Sequence, residues 1–179
     1  MTVLLEQIAG SAGCLCPQMG QTGQNWSGGT PDALIDHIIE RYHTRHRQQF
    51  PECIRLATLV EDAHRDKPGC PRGLADHLST LAQELECHMM KEERVLFPML
   101  RRASVGQLLA PVSMMRIEHE QHREALDHLD YMTGDLVPPQ DACRQWQALY
   151  VGLRQLREDL MEHIALENNI LFLDRSQLT

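Results

Sequence analysis

The chain has 179 residues, enough for one domain to bury roughly two-thirds of its unfolded-state surface without staples. Its 17 Lys and Arg stand against 25 Asp and Glu, a net charge of −8 with no run of like charge, which argues against nucleic acid or a membrane surface as the main partner. No stretch approaches the ~20 apolar residues of a membrane span. Met1 to Cys14 lacks a basic start and is interrupted by Glu6 and Gln7, so it makes a poor signal peptide and the expected setting is cytoplasmic.

Residues 1–30 are rich in Gly, Ser, Gln and Thr, carry no sustained apolar period, and read as an irregular extension ahead of a single domain over 31–175. Thr30-Pro31-Asp32 has the marks of a helix start: a hydroxyl cap, a proline at the first helical position and a carboxylate near the positive dipole end. The first helix is predicted to run to about Ala63, kinked at Pro51. Lys67-Pro68-Gly69-Cys70-Pro71 marks the connection to a second helix over Arg72 to about Leu100, whose Leu74, Leu78, Leu81, Leu85 and Met89 recur at spacings of three and four, and whose last turn Pro98 should disturb. A third helix is expected from about Pro111 to Tyr131, and a fourth over Gln140 to Phe172, opened by Pro139. No strand alternation occurs, so the predicted fold is all-α: an antiparallel up-down-up-down four-helix bundle.

The second and fourth helices repeat one pattern. Leu85-Glu86-Cys87-His88-Met89-Met90-Lys91-Glu92 aligns with Leu160-Met161-Glu162-His163-Ile164-Ala165-Leu166-Glu167, and Val95-Leu96-Phe97 then falls opposite Ile170-Leu171-Phe172. His and Glu four residues apart project from one helix face about 6 Å apart along the axis. The apolar neighbours turn that face inward, where an unpaired carboxylate is expensive to bury unless a metal ion holds it. A single such pair also arises as an ordinary surface pair. Two copies in matching contexts, each preceded by a further histidine, are a stronger signal: His43 comes 45 residues before His88, and His119 44 before His163. His43, His88, Glu92, His119, His163 and Glu167 together offer four imidazoles and two carboxylates, a set suited to two iron ions with both glutamates bridging and two histidines on each metal; oxygen with imidazole nitrogen favours iron or manganese over a thiolate-type zinc site.

The other candidates rank lower. His64 lies 21 residues after His43, about 30 Å along a continuous helix, too far to share the site. His46 and His122, one turn from predicted ligands, are expected in structural or supporting roles, and His37, His77 and His128 at the surface or satisfied. Glu84 and Asp159, four residues before His88 and His163, are placed to accept a hydrogen bond from the outer nitrogen of a ligating imidazole, with plain solvent exposure as the alternative. The six cysteines are scattered, which speaks against a disulfide framework.

His88-Met89-Met90-Lys91-Glu92-Glu93 followed by Leu96-Phe97-Pro98, Ile35-Asp36-His37 leading into Arg41-Tyr42-His43, and His163-Ile164-Ala165-Leu166-Glu167-Asn168-Asn169 resemble the hemerythrin-like domain of the iron-sulfur cluster repair proteins, the repair-of-iron-centres family. The resemblance covers about residues 31–173 and maps the family's metal ligands onto the same six residues. It implies a cytoplasmic protein of the nitrosative and oxidative stress response with an oxo- or hydroxo- and carboxylate-bridged di-iron centre. It further implies nitric oxide or oxygen as small ligand, low-turnover reduction of nitric oxide to nitrous oxide, and damaged iron-sulfur proteins as partners. The alternative is a hemerythrin-like oxygen or nitric oxide binder or sensor without turnover. Conventional hemerythrins carry a further histidine four residues after the first ligand of the third helix, and Arg123 stands there, which disfavours simple oxygen carriage. Family members commonly have a separate N-terminal domain with a cysteine pair; Cys14-Leu15-Cys16 is the local counterpart to weigh against two unrelated thiols.

Overall fold

The computed structural model describes residues 30–102 and 107–173. The Cys14 and Cys16 thiols and nearly all of the predicted extension lie outside the described residues. The first helix, α1, begins at Pro31 because Thr30 caps it, its hydroxyl accepting the Ala33 N–H at 3.3 Å. It comprises an α segment Pro31–Ile38, a π-turn Ile39–His43 and an α segment Thr44–His64 that continues through Pro51. The second, α2, comprises Leu74–Lys91, a π-turn Glu92–Leu96 and Phe97–Arg102, so it runs past Pro98. Helix α3 is Leu109–Thr133, and α4 is Arg144–Leu166 followed by a π-turn Glu167–Leu171.

Helix α4 starts four residues later than predicted. The Pro139 carbonyl accepts the Ala142 N–H at 2.9 Å and closes a turn, and the extended Cys143 then serves as the cap. The α3–α4 break is tight: Gly134, Asp135 and Leu136 all take positive φ. The two non-glycine residues pay for this with burial of Leu136, whose N–H donates to the Thr133 hydroxyl at 3.2 Å and whose carbonyl accepts from Arg154 at 2.8 Å.

Side-chain pairs fix the antiparallel register. Arg47 reaches Glu86 and His43 reaches Glu93 between α1 and α2; Lys91 reaches Glu118 between α2 and α3; Arg157 reaches Asp130 between α3 and α4. The apolar stripes meet in two clusters. The larger is built on Phe50, Leu78, Leu85, Leu129, Trp146, Leu153 and Leu160, and the smaller on Ile35, Ile38, Leu96, Phe97, Leu108 and Phe172. Along every helix the six predicted ligands fall at the boundary between them, which sets a polar layer between two apolar clusters. Among the described residues no helix is long and apolar enough to cross a membrane.

Candidate metal centre

Each His-x-x-x-Glu pair sits where an α segment ends. The N–H of Glu92 still bonds the His88 carbonyl, and that of Glu167 bonds the His163 carbonyl, so the His–Glu spacing is one regular turn. Immediately after each glutamate the helix widens: Phe97 N–H reaches back to the Glu92 carbonyl and Phe172 N–H to that of Glu167. On α1 the widened turn ends at His43, with Thr44 N–H bonded to the Ile39 carbonyl. Such π-turns recur at functional sites because an inserted residue re-aims the side chains beside it.

The structure brings all six predicted residues together, each 0 or 1 % exposed. They form two pockets, His43–Glu92–His163–Glu167 and His88–Glu92–His119–Glu167, and in each the donor atoms lie within 4.8 Å of one another. Both glutamates belong to both pockets. Glu92 presents Oε2 to His43 and Oε1 to His88, each at 3.4 Å; Glu167 presents Oε1 to His163 at 3.3 Å and Oε2 to His119 at 3.0 Å. The histidine Nε2 atoms pair across each pocket, His43 with His163 at 3.2 Å and His88 with His119 at 3.1 Å.

This arrangement fits cations and little else. The four glutamate oxygens face only the imidazole Nε2 atoms, with no other donor, so two carboxylates stand buried among groups that are themselves potential ligands. Burial, together with the charge of Glu167, pushes the Glu92 carboxyl up to about 7. Burial opposes ionisation of Glu167 as well, but His163 and His119 outweigh it and hold that carboxyl well below the ordinary range. The protein alone therefore leaves a buried carboxylate pair in conflict, and a shared positive charge resolves it. Two imidazoles and one oxygen from each of two carboxylates are a donor set for a borderline or hard transition metal rather than a thiolate-preferring one.

The outer nitrogens show which tautomer is held. His43 Nδ1 donates to Glu93 at 2.8 Å and His88 Nδ1 to Glu118 at 2.9 Å, while His119 Nδ1 donates to the Asn168 side-chain oxygen at 3.1 Å. With Nδ1 held as the donor on the outer side, Nε2 is the nitrogen left to offer a lone pair inward to a cation. The acceptors are themselves anchored, Glu93 by Arg47 at 2.9 Å and Glu118 by Lys91 at 2.6 Å. Phe97 stacks on His43 and Phe172 on His119, which gives the repeated Leu-Phe ending of the two motifs a task at the site.

Residues 34–173 match the hemerythrin HHE cation binding domain. The chain belongs to the hemerythrin HHE cation-binding family. Within reach of this hemerythrin-family chain are proteins named iron-sulfur cluster repair protein YtfE: that of Cronobacter sakazakii is 50% identical over 149 residues, covering 83% of this chain and 67% of the relative. Those of Citrobacter koseri and Escherichia coli O81 are each 48% identical over 149 residues, covering 68% of the relative.

The outer acceptors differ from those expected, and Glu84 is exposed, the alternative reading for it. Asp159 does not touch an imidazole; it is 1% exposed and accepts from Arg41, Arg45, Gln49 and Gln155, tying α1 to α4. Glu84 lines a cleft of about 290 Å³ between α2 and α3, together with Cys87, Lys91, Glu118 and His122. The acceptors in use, Glu93, Glu118 and Asn168, were missed, although each is next in sequence to a ligand. His46 and His122 are buried beside the site: His46 stacks on His163 and His122 meets His88 edge-on, and burial holds both rings neutral, down to about 3. His64 stands away from the cluster, against Cys143 Sγ at 3.2 Å and the Trp146 ring.

Proposed function

We propose that this hemerythrin-family chain holds two iron ions between Glu92 and Glu167 and serves the repair of damaged iron-sulfur centres under nitrosative or oxidative stress, binding nitric oxide at the same site. The observation that carries this reading is the division of each carboxylate, one oxygen to each pocket, which fits a bridge between two metals better than two separate sites. The names of the similar proteins support the repair role. When bound, the irons supply one-electron redox chemistry and a place for a diatomic ligand.

The chain's own residues set the conditions for that chemistry. Glu92 and Glu167 place two negative charges where positive charge is needed. Glu93, Glu118 and Asn168 hold three imidazoles in the ligating tautomer. Apolar clusters on both sides of the layer keep water away and strengthen every interaction within it. His46 and His122 add neutral, polarisable rings against His163 and His88 without adding charge.

Anaerobic reconstitution with ferrous iron followed by nitric oxide titration tests the reading. Two irons per chain and saturable nitric oxide binding are expected, and both are lost in Glu92→Ala and Glu167→Ala. Nitrous oxide yield separates reduction from binding alone, and transfer of labelled iron to an apo-cluster protein tests repair. A chain that binds nitric oxide but yields no nitrous oxide and passes on no iron would be a binder or sensor instead.

A further inference from the structure

The site is a repeat with one break in it. Position by position, His43 corresponds to His119, His88 to His163, Glu92 to Glu167, Glu93 to Asn168, and His46 to His122. Their contacts correspond too: Glu93 and Asn168 take the outer nitrogens of His43 and His119, and Phe97 and Phe172 stack on the same two rings. In one half Glu118, the residue before His119, takes the outer nitrogen of His88. The matching residue before His43 is Tyr42, and the match fails there.

Tyr42 stacks on the His163 ring, with centroids 5.5 Å apart and planes 10° apart, and its hydroxyl turns away to Glu162 at 3.4 Å. His46 also lies over His163, at 5.5 Å. Asp159, one turn earlier on α4, is committed to the arginines and glutamines already described. His163 Nδ1 is consequently buried without a hydrogen-bond partner, while the other three outer nitrogens each have one.

We infer that the His43–His163 pocket holds its iron less firmly than the His88–His119 pocket, and that iron leaves the site from there first. This inference rests on the di-iron reading above. An imidazole bound to a cation through Nε2 becomes a stronger Nδ1–H donor, and an acceptor there fixes the ring and raises its basicity. His163 has neither benefit: on its outer side the ring meets only the stacked Tyr42 and His46. Loss of such a partner lowers metal affinity by about 10- to 100-fold, so the two irons should leave at rates at least about 10-fold apart. The chain would thereby surrender one iron while the second keeps both glutamates engaged, which suits a donor of single iron ions. Tyr42 is the positioning residue that sets the difference.

The test is anaerobic release of ferrous iron from the two-iron protein into a chelator, followed optically and by Mössbauer spectroscopy of the half-emptied protein. Two equal phases separated by about 10-fold or more are expected, with one quadrupole doublet fading before the other. Tyr42→Glu, which copies Glu118, should slow the fast phase and leave the slow one in place. Asn168→Leu should quicken the slow phase, and Asn168→Asp, which keeps an acceptor, should not. Should Tyr42→Glu fail to fold by circular dichroism, the two Asn168 variants carry the test: a slow phase indifferent to both would overturn the inference. Two irons leaving the native protein in a single phase would overturn it while sparing the di-iron reading. One iron or none per chain would overturn both.

Discussion

A site built for cations should burden the protein that lacks them, and Glu92→Gln measures that burden. In the metal-free protein burial and Glu167 raise the Glu92 carboxyl from an ordinary 4.5 to about 7. The unfolded chain therefore ionises first as pH rises, the folded state binds more protons between those values, and stability falls across that window. At about 1.4 kcal/mol per pH unit the loss is complete above pH 7 and comes to about 3 kcal/mol. Glutamine has the same shape, carries no charge, and can donate its amide to the Nε2 of His43 or His88. Urea denaturation of the chelator-treated proteins at pH 8 should find the variant more stable by about 3 kcal/mol, a gain that fades as the pH is lowered to about 4.5. With iron in about thousandfold excess over Kd the order should reverse, because ligand binding stabilises only the protein that binds it, there by about 4 kcal/mol. A metal-free variant no more stable than the native chain at pH 8 would refute the reasoning.

Three further outcomes follow from the same geometry. Asp159→Ala removes a buried acceptor from Arg41, Arg45 and Gln49 and should destabilise the bundle by about 3 kcal/mol, measured by urea denaturation, yet leave two irons per chain because Asp159 touches no ligating ring. Glu93→Leu strips His43 of its acceptor and should weaken iron binding by about 10- to 100-fold in competition with a chelator while far-ultraviolet dichroism is preserved. Cys53 is buried and its thiol is pushed up to about 11 by that burial, so little thiolate exists at pH 8; mass spectrometry after iodoacetamide should find exposed Cys87 modified in the folded protein and Cys53 only after unfolding.

How far the sequence foretold this site depends on which distances it encodes. His-x-x-x-Glu is legible because four residues are one helical turn, and the fold kept that turn regular in both copies. His43 and His119 were legible through the repeat, since two matching halves place matching residues at one level of the bundle. The outer acceptors were not. Reasoning one turn back along the same helix led to Glu84 for His88 and Asp159 for His163, whereas Glu118 of the neighbouring helix serves His88 and His163 Nδ1 has no acceptor. Glu93, Glu118 and Asn168 each sit one residue from a ligand, about 100° around the helix, which points them across the seam. The π-turns had no local cue in the sequence, although each of the three adjoins a predicted ligand. The late start of α4 reflects a turn that Pro139 closes in place of the helix it was expected to open.

Iron stoichiometry and its dependence on the two shared carboxylates bear most directly on the whole account. Metal analysis and Mössbauer spectroscopy of the anaerobically reconstituted protein should give two irons per chain in an exchange-coupled pair, and Glu92→Ala or Glu167→Ala should abolish the coupling. One isolated iron per chain, or two that remain coupled without Glu92 and Glu167, would contradict it.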